Sequence, residues 1–384
     1  MPLTVLVARE RVEGETRVSA TPDTVKQMIK AGLAVTVEAG AGESAFFSDK
    51  AFTDAGATVV ADPKAAWGAA DVVLKVRAPE KHASLDEIEA TKDGAVVIGF
   101  LAPYKNDEMI RRYAAKRVIS LPMELVPRIT RAQKMDALSS QANIAGYKAV
   151  LVAAVNLPKY FPLFMTAAGT VKPARVVIMG AGVAGLQAIA TAKRLGAVVE
   201  ASDVRPETKE QILSLGGKFI ELPKTEETGS GQGGYAKEMS ADFLKAQQEI
   251  VGRHVAQADV VVTTALVPGR PAPKLLPAWI VEKMKPGAVI VDLAVEQGGN
   301  CELSEKDKEV RKHGVLIIGP SNLPATMPGD ASMLYARNVF ALLQNVITKE
   351  GALNIDVTDE VTSGTLLTND GKIVHGPTAQ RLGG

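Results

Sequence analysis

Three glycines, Gly180, Gly182 and Gly185, stand at GxGxxG spacing directly behind the apolar run Val176 to Met179. An acid, Asp203, follows roughly 20 residues later. Each residue type meets one need of pyrophosphate binding. Gly180 permits a tight turn, Gly182 lets a phosphate approach the backbone, and Gly185 lets the next helix lie close to the sheet. The helix N-terminus then directs N–H groups and a partial positive charge at the phosphates. Asp203, closing the following strand, is placed to accept from ribose hydroxyls. A carboxylate there repels a 2′-phosphate, so the pattern favours NAD(H) over NADP(H), although Arg205, two residues on, works in the opposite sense. Ala181, Val183 and Val204 complete the turn and the strand end as contact positions. A glycine needed only for a turn between strand and helix leaves the position of Asp203 unexplained.

Two further segments follow apolar strands, Thr263 to Gly269 and Asp292 to Gly299. The carboxyl ends of parallel strands are where ligands of doubly wound sheets lie, so Thr264, Ala265 and Leu266 are candidate contacts and the amides of Ala265 to Val267 candidate donors. Pro268, Gly269, Gly298 and Gly299 fit ordinary turns equally well. The polar run Arg128 to Gln141 offers Arg128, Gln133, Asp136 and Ser139. Such groups can grip a carboxamide and sugar hydroxyls through directional hydrogen bonds. Asp136 is also a natural N-terminal cap for the helix behind it. Pro223 to Ser240, PKTEETGSGQGGYAKEMS, interrupts the nucleotide unit and reads as a solvated loop or as a lid with Tyr235 as its aromatic contact.

Positioning these groups takes alternating strands and helices. Strand candidates Leu3–Ala8, Ala34–Glu38, Val72–Val76, Ala95–Phe100 and Val118–Leu121 alternate with amphipathic stretches such as Pro22–Ala31 and Asp107–Ala115, an α/β pattern with a mostly parallel sheet. No glycine fingerprint follows the first strand; Ala8-Arg9-Glu10 stands there. Ala137 to Asn156 reads as a long connecting helix, and Phe164 to Val171 as a turn-rich approach to the second unit. That unit offers strands at Val176–Met179, Val198–Ala201, Lys218–Glu221, Val260–Thr264, Ala288–Leu293 and Val315–Ile318. Ala331 to Val346 reads as another long helix, with short strand and turn beyond it. The expectation is α/β: two doubly wound parallel-sheet domains joined by long helices, with a ligand cleft between them. Residues 1–137 and 331–384 form a discontinuous N-terminal domain, and 138–330 the nucleotide domain with a mobile loop at about 223–240.

Bulk properties narrow the function. A chain of 384 residues suggests two or three domains with ample core, and a formal net charge of +1 shows no bias toward nucleic acid or a membrane surface. The single cysteine, Cys301, excludes an intramolecular disulfide and fits a reducing compartment. His82, His254, His313 and His375 are scattered without metal-ligand spacing, so no metal is expected. The start, MPLTVLVARE, lacks a basic lead and a long apolar core and so does not read as a signal peptide, and Ala142 to Leu157 carries Lys148 and Asn156 and is too short to span a bilayer.

Beyond the fingerprint, RVSATP at Arg17 to Pro22, MELVPRITRAQKMDALSSQANIAGYKAV at Met123 to Val150, GGYAKEM, TTALVPGRPAP and DLAVEQGGNC run nearly end to end along the chain. Together with GAGVAGLQAIATAKRLGA they resemble the alpha-1 subunit of proton-translocating NAD(P) transhydrogenase, its NAD(H)-binding component. The resemblance implies Rossmann-like domains and a Re/Si-specific, proton-translocating enzyme that passes hydride between NADH on this chain and NADP+ on a partner component. It implies that Arg128, Asp136 and Ser139 hold the nicotinamide ring and carboxamide, that Gln133 reaches toward the partner's NADP(H), and that Tyr235 folds over the bound nucleotide. It also implies a homodimer, cytoplasmic and peripheral on the inner face of the bacterial plasma membrane, docked on a membrane-spanning proton channel and an NADP(H)-binding component. The chain is also similar to alanine dehydrogenase, in which Arg17 and Lys75 would grip the substrate. That family's catalytic histidine is replaced here by Phe100, and Arg17 and Lys75 are then expected to pair with acids across the cleft. A non-enzymatic NAD-sensing module is the third reading, and the 128–139 segment, which makes sense chiefly as a reaction-site clamp, weighs against it.

Overall fold

Short runs of valine, isoleucine and leucine, bounded by glycine and polar turns, become the strands, as burial on both faces of a parallel sheet requires. The computed structural model describes residues 2–223, 229–230, 239–267 and 270–383. Its strands begin with β1 Thr4–Val7, β2 Ala34–Glu38, β3 Thr58–Val60, β4 Val72–Leu74, β5 Val96–Gly99 and β6 Ile119–Pro122. A hairpin follows, β7 Phe164–Thr166 and β8 Gly169–Val171. Next come β9 Arg175–Met179, β10 Val198–Ser202, β11 Lys218–Phe219, β12 Val260–Thr263, β13 Val289–Asp292, β14 Glu309–Lys312 and β15 Val315–Ile318. The last two are β16 Thr368–Asn369 and β17 Lys372–Ile373. The chain divides into two units, Met1–Gln141 with Ala325–Gly384, and Ala142–Pro324.

In the first unit the sheet order is β17-β16-β6-β5-β4-β1-β2-β3, with β1 to β6 parallel. The chain winds outward from β1 to β3, then returns to β4 on the other side, so the winding reverses between β1 and β4, where Val5 is in register with Val72. Alternate residues supply opposite faces. Val5 and Val7 pack with Val35, Val37, Leu74 and Ile98 under Tyr335, Val339 and Leu343 of the helix Pro328–Asn345. Leu6, Val73 and Val97 face Trp67, Met109 and Tyr113 on the other side. The helix Pro22–Lys30 starts where the sequence asks it to: Thr21 and Thr24 form a reciprocal capping box, with Pro22 in the first turn.

The second unit repeats the plan, in the order β11-β10-β9-β12-β13-β15-β14, parallel except for β14. Its reversal falls between β9 and β12. Val176 and Ile178 pack on one face, Val177 and Met179 on the other. The helix Ala137–Asn156 has the expected bounds, and among the described residues no helix is long and apolar enough to cross a membrane.

Several elements depart from the sequence reading. β3 is a half-exposed edge strand of only three residues, TVV, and β14 is an edge strand of sequence EVRK with three exposed residues and no apolar run. The stretch 164–171 is an antiparallel hairpin. The C-terminal tail holds two helices, Glu360–Thr365 and Gly376–Leu382, and returns β16 to the first sheet, with Thr368 in register with Ser120.

Candidate functional site

At the reversal of the second sheet, β9 ends at Met179 and the chain turns through Gly180, whose φ of 98° lies in the left-handed region that favours glycine. The Gly180 N–H donates to the Ser202 carbonyl (2.9 Å), and Thr264 Oγ1 donates to the Gly180 carbonyl (3.0 Å). The turn is thus fastened to β10 and to the end of β12. A Cβ at position 180 would lie 2.7 Å from Thr264 Oγ1, and one at 185 would lie 1.8 Å from the Gly180 oxygen. Gly182 differs, since the nearest atom to a Cβ there would be Arg205 Nη2, at 3.8 Å. It is also the N-cap of the helix Val183–Arg194, with no side chain bonded across the cap. The first-turn N–H groups behind Gly182 therefore lie beside backbone that a ligand can approach, which fits a pyrophosphate. From behind, the helix Ala137–Asn156 packs on this turn almost backbone to backbone: a Cβ at Gly146 would lie 2.0 Å from the Ala184 oxygen.

Asp203, just past β10, is 7% exposed and accepts four bonds. Ala181 N–H (2.7 Å) and Arg205 Nη2 (2.7 Å) donate to Oδ2, and Arg205 N–H (2.9 Å) and Nε (2.9 Å) donate to Oδ1. Two expectations change here. The Ala181 amide is spent on Asp203 rather than offered to a phosphate, and Asp203 is a carboxylate already engaged by the chain. The hydrogen bond to Asp203 in turn pushes the Arg205 guanidinium further up. Gly229 crosses close to Val204, where a Cβ would lie 2.1 Å from the Val204 oxygen, and Ser230 Oγ donates to Glu207 (2.9 Å). Tyr235 and most of the 223–240 loop lie outside the described residues.

Behind β12 and β13, Asp292 is fully buried and accepts from Thr263 Oγ1 (2.9 Å), from the N–H groups of Ala294 (3.0 Å), Asn300 (3.2 Å) and Cys301 (2.9 Å), and from Ser304 Oγ (2.8 Å). That carboxylate holds Asn300, which clamps Ala265 from both sides: Ala265 N–H donates to Asn300 Oδ1 (3.0 Å) and Asn300 Nδ2 donates to the Ala265 carbonyl (2.9 Å). The row of donors expected at 265–267 therefore loses Ala265, and Thr264 acts through Gly180. Leu266 is half-buried beside them. Asp292 and Asn300 are positioning residues that the sequence reading passed over. Their signal was an acid at a strand end with an amide eight residues on in the same loop. Cys301, next to Asn300, is buried, and burial pushes its thiol up.

In the first unit, residues Thr130–Met135 form a short 3-10 turn ahead of the helix Ala137–Asn156. Asp136 caps that helix, accepting from Ser139 N–H (2.9 Å) and Ser139 Oγ (2.6 Å). These two candidates are brought together, each half-buried, while Arg128 and Gln133 are exposed. The turn is fixed from outside: Asn338 Nδ2 donates to the Lys134 carbonyl (2.8 Å), and Arg131 pairs with Asp359. Asn345 Nδ2 and the Thr362 N–H also donate to Asp359, and with Arg131 they hold its carboxyl below the ordinary carboxylate range against the opposing effect of desolvation.

Arg17 and Lys75 pair with acids of their own unit. Arg17 grips Glu15 through Nε and Nη2 (2.7 Å each) and donates to Gln141 (2.8 Å). Lys75 is fully buried between Glu87 (3.0 Å) and Glu10 (3.4 Å). Phe100 packs its ring 5.2 Å from that of Tyr335. Among the described residues no group of His, Cys, Asp and Glu side chains could hold a metal ion.

Two doubly wound sheets, one with an open glycine turn at its reversal, define a two-unit dinucleotide-binding protein of the dehydrogenase type. The family model described as alanine dehydrogenase/PNT, N-terminal domain, matches residues 6–145, and its C-terminal counterpart matches 149–376. The chain is 50% identical over 377 residues to the first of the polypeptides that make up NAD(P) transhydrogenase subunit alpha in Rhodospirillum rubrum, with 97% of each chain covered. It is similar to the solved transhydrogenase from Sinorhizobium meliloti (45% identity, TM-score 0.86, 97% of this chain and 100% of that one). It is also similar to a solved L-alanine dehydrogenase (27% identity, TM-score 0.81, 98% of each). The chain belongs to the alanine dehydrogenase/PNT family and, within it, to the NAD(P) transhydrogenase alpha subunits.

Proposed function

We propose that this chain is the NAD(H)-binding component of a Re/Si-specific, proton-translocating transhydrogenase and works with an NADP(H)-binding component and a membrane-spanning proton channel. The observation that carries the reading is the open Gly182 backbone at an uncapped helix N-terminus, one strand away from the Asp203 carboxylate. Bound NAD(H) supplies the hydride chemistry, passing hydride directly to or from the partner's nucleotide. The chain then needs no general acid or base; its task is to place a ring and exclude water. Gly180, Gly182, Val183 and Gly185 shape and offer the phosphate site. Ala181 orients Asp203, and Val204, Arg205, Thr264, Ala265 and Leu266 line or brace it. Arg128, Asp136 and Ser139 hold the nicotinamide and its carboxamide, Gln133 reaches toward the partner's NADP(H), and Tyr235 closes over the nucleotide. The pairing of Asp136 with Ser139 gives that grip a fixed geometry.

A homodimer fits the apolar surface on and before the hairpin, where Tyr160, Leu163, Phe164 and Met165 are all exposed, the kind of surface that marks an interaction site. Attachment to the cytoplasmic face of the membrane is through the partners. An alanine dehydrogenase activity is disfavoured by Phe100, which stands where the resemblance puts that family's catalytic histidine and packs near Tyr335. The deciding experiment mixes the chain with a soluble NADP(H)-binding component. NADH-dependent reduction of an NADP analogue is expected, and alanine-dependent reduction of NAD+ by the chain alone would overturn the reading.

A further inference from the structure

The bonds at Asp203 carry a consequence for nucleotide choice, which rests on the NAD(H) reading above. A carboxylate offers about four acceptor positions. All four on Asp203 are taken by the chain's own donors. Two of these donors are backbone N–H groups, of Ala181 and Arg205, fixed by the turns that carry them. The other two are Nε and Nη2 of Arg205, one to each carboxylate oxygen, on a side chain that is itself 13% exposed. Nη2 is also the atom closest to the open face of Gly182.

A ribose presents a vicinal diol, two O–H donors side by side. That is the pattern of the guanidinium edge: two donors directed at two oxygens of one carboxylate. We propose that the Arg205 head group is a displaceable stand-in for the ribose, holding on Asp203 the two acceptor positions that the adenosine ribose of NAD(H) needs. Binding of NAD(H) exchanges one pair of donors for the other, so part of its affinity is offset by the guanidinium it expels. A 2′-phosphate has no proton to donate at that place. It cannot take the guanidinium's position on Asp203, but it gains from a guanidinium left nearby, and the paired carboxylate repels it less. Arg205 therefore weakens NAD(H) binding and softens the exclusion of NADP(H).

Calorimetric titration of the full chain with NADH and with NADPH tests this, in the wild type, in Arg205→Met, which keeps the stem and removes the head, and in Arg205→Gln, which keeps one neutral donor. The Met variant is expected to bind NADH about three- to tenfold more tightly, the scale of one net hydrogen bond. Its ratio of NADPH to NADH dissociation constants is expected to rise. The Gln variant should fall between, and decides the matter should the Met variant not fold. An NADH affinity that is unchanged or weaker in a folded variant overturns the proposal. A wild type that binds NADPH but not NADH would instead overturn the NAD(H) reading itself. A wild type that binds NADH tightly while Arg205→Met binds it more weakly sinks only the role of Arg205 as a stand-in.

Discussion

The two sheets share a winding order and use the place where it reverses in opposite ways. In the second unit, Gly180 to Gly185 leave the crevice between β9 and β12 open, with helix N–H groups facing it. In the first, the equivalent place between β1 and β4 is closed by the chain itself. Glu10 extends from the segment after β1 and accepts from Val76 N–H (2.7 Å) and Arg77 N–H (3.2 Å) after β4. Around it lie Lys75, Glu87, Arg11 and Glu38. A resident carboxylate takes up N–H groups that a bound anion could otherwise use. Fold alone therefore does not make a ligand site, and what stands behind the first strand decides.

Substitutions can break this contrast. The largest expected effect is at Lys75, fully buried between two carboxylates. Lys75→Met leaves Glu10 without its buried cation and Glu87 with Arg11 as its remaining cation, and is expected to destabilise the first unit by about 3–5 kcal/mol. Calorimetric unfolding would show it, with NADH affinity retained. Comparable NADH loss would mean that the closed crevice serves the nucleotide after all. Next is Gly185→Val, which drives a side chain into the Gly180 carbonyl. It should cost about 3 kcal/mol or more in the second unit and abolish NADH binding by titration. A variant that still binds would show the turn to be less constrained than its contacts require.

A pH effect sharpens the comparison further. Glu124, after β6, accepts from Leu101 N–H (3.1 Å) and Ala102 N–H (2.8 Å), yet burial raises its carboxyl to about 7. The folded chain holds that proton more tightly than the unfolded chain does. The resulting stabilisation is complete below the ordinary pKa of about 4.5 and is lost as pH rises through about 7. Urea unfolding across this window should lose up to about 3 kcal/mol in the wild type, and Glu124→Gln should flatten the slope. An unchanged slope would assign it to other groups. The smallest effect belongs to Thr264→Val, which removes only the bond to the Gly180 carbonyl. It should cost about 1 kcal/mol of stability and a few-fold in NADH affinity, read by thermal melts and titration.

How much of this was legible in the sequence follows from what each feature depends on. Apolar runs such as Val176 to Met179 announce buried strands through local composition, and the spacing of Gly180, Gly182 and Gly185 carries its own steric logic. The edge strands were not legible: β3 is only three residues, TVV, and β14 lies at an edge whose open side tolerates EVRK. Nor was the pairing of Thr368 with Ser120, joined across 248 positions. At the site, residue types were legible but partners were not. Asp203 reads as a free acceptor until the fold delivers Ala181 and Arg205 to it. Ala265 reads as a free donor until Asp292 fixes Asn300 against it.

The burial of Cys301 has a practical outcome. The sole thiol of the chain sits in the interior with its proton held by desolvation, so it is a poor nucleophile toward maleimides and disulfides. A cysteine introduced at an exposed position such as Lys134 would then be the only fast-reacting sulfur in the molecule. Fluorescent or spin labels could be placed there without first stripping the native residue.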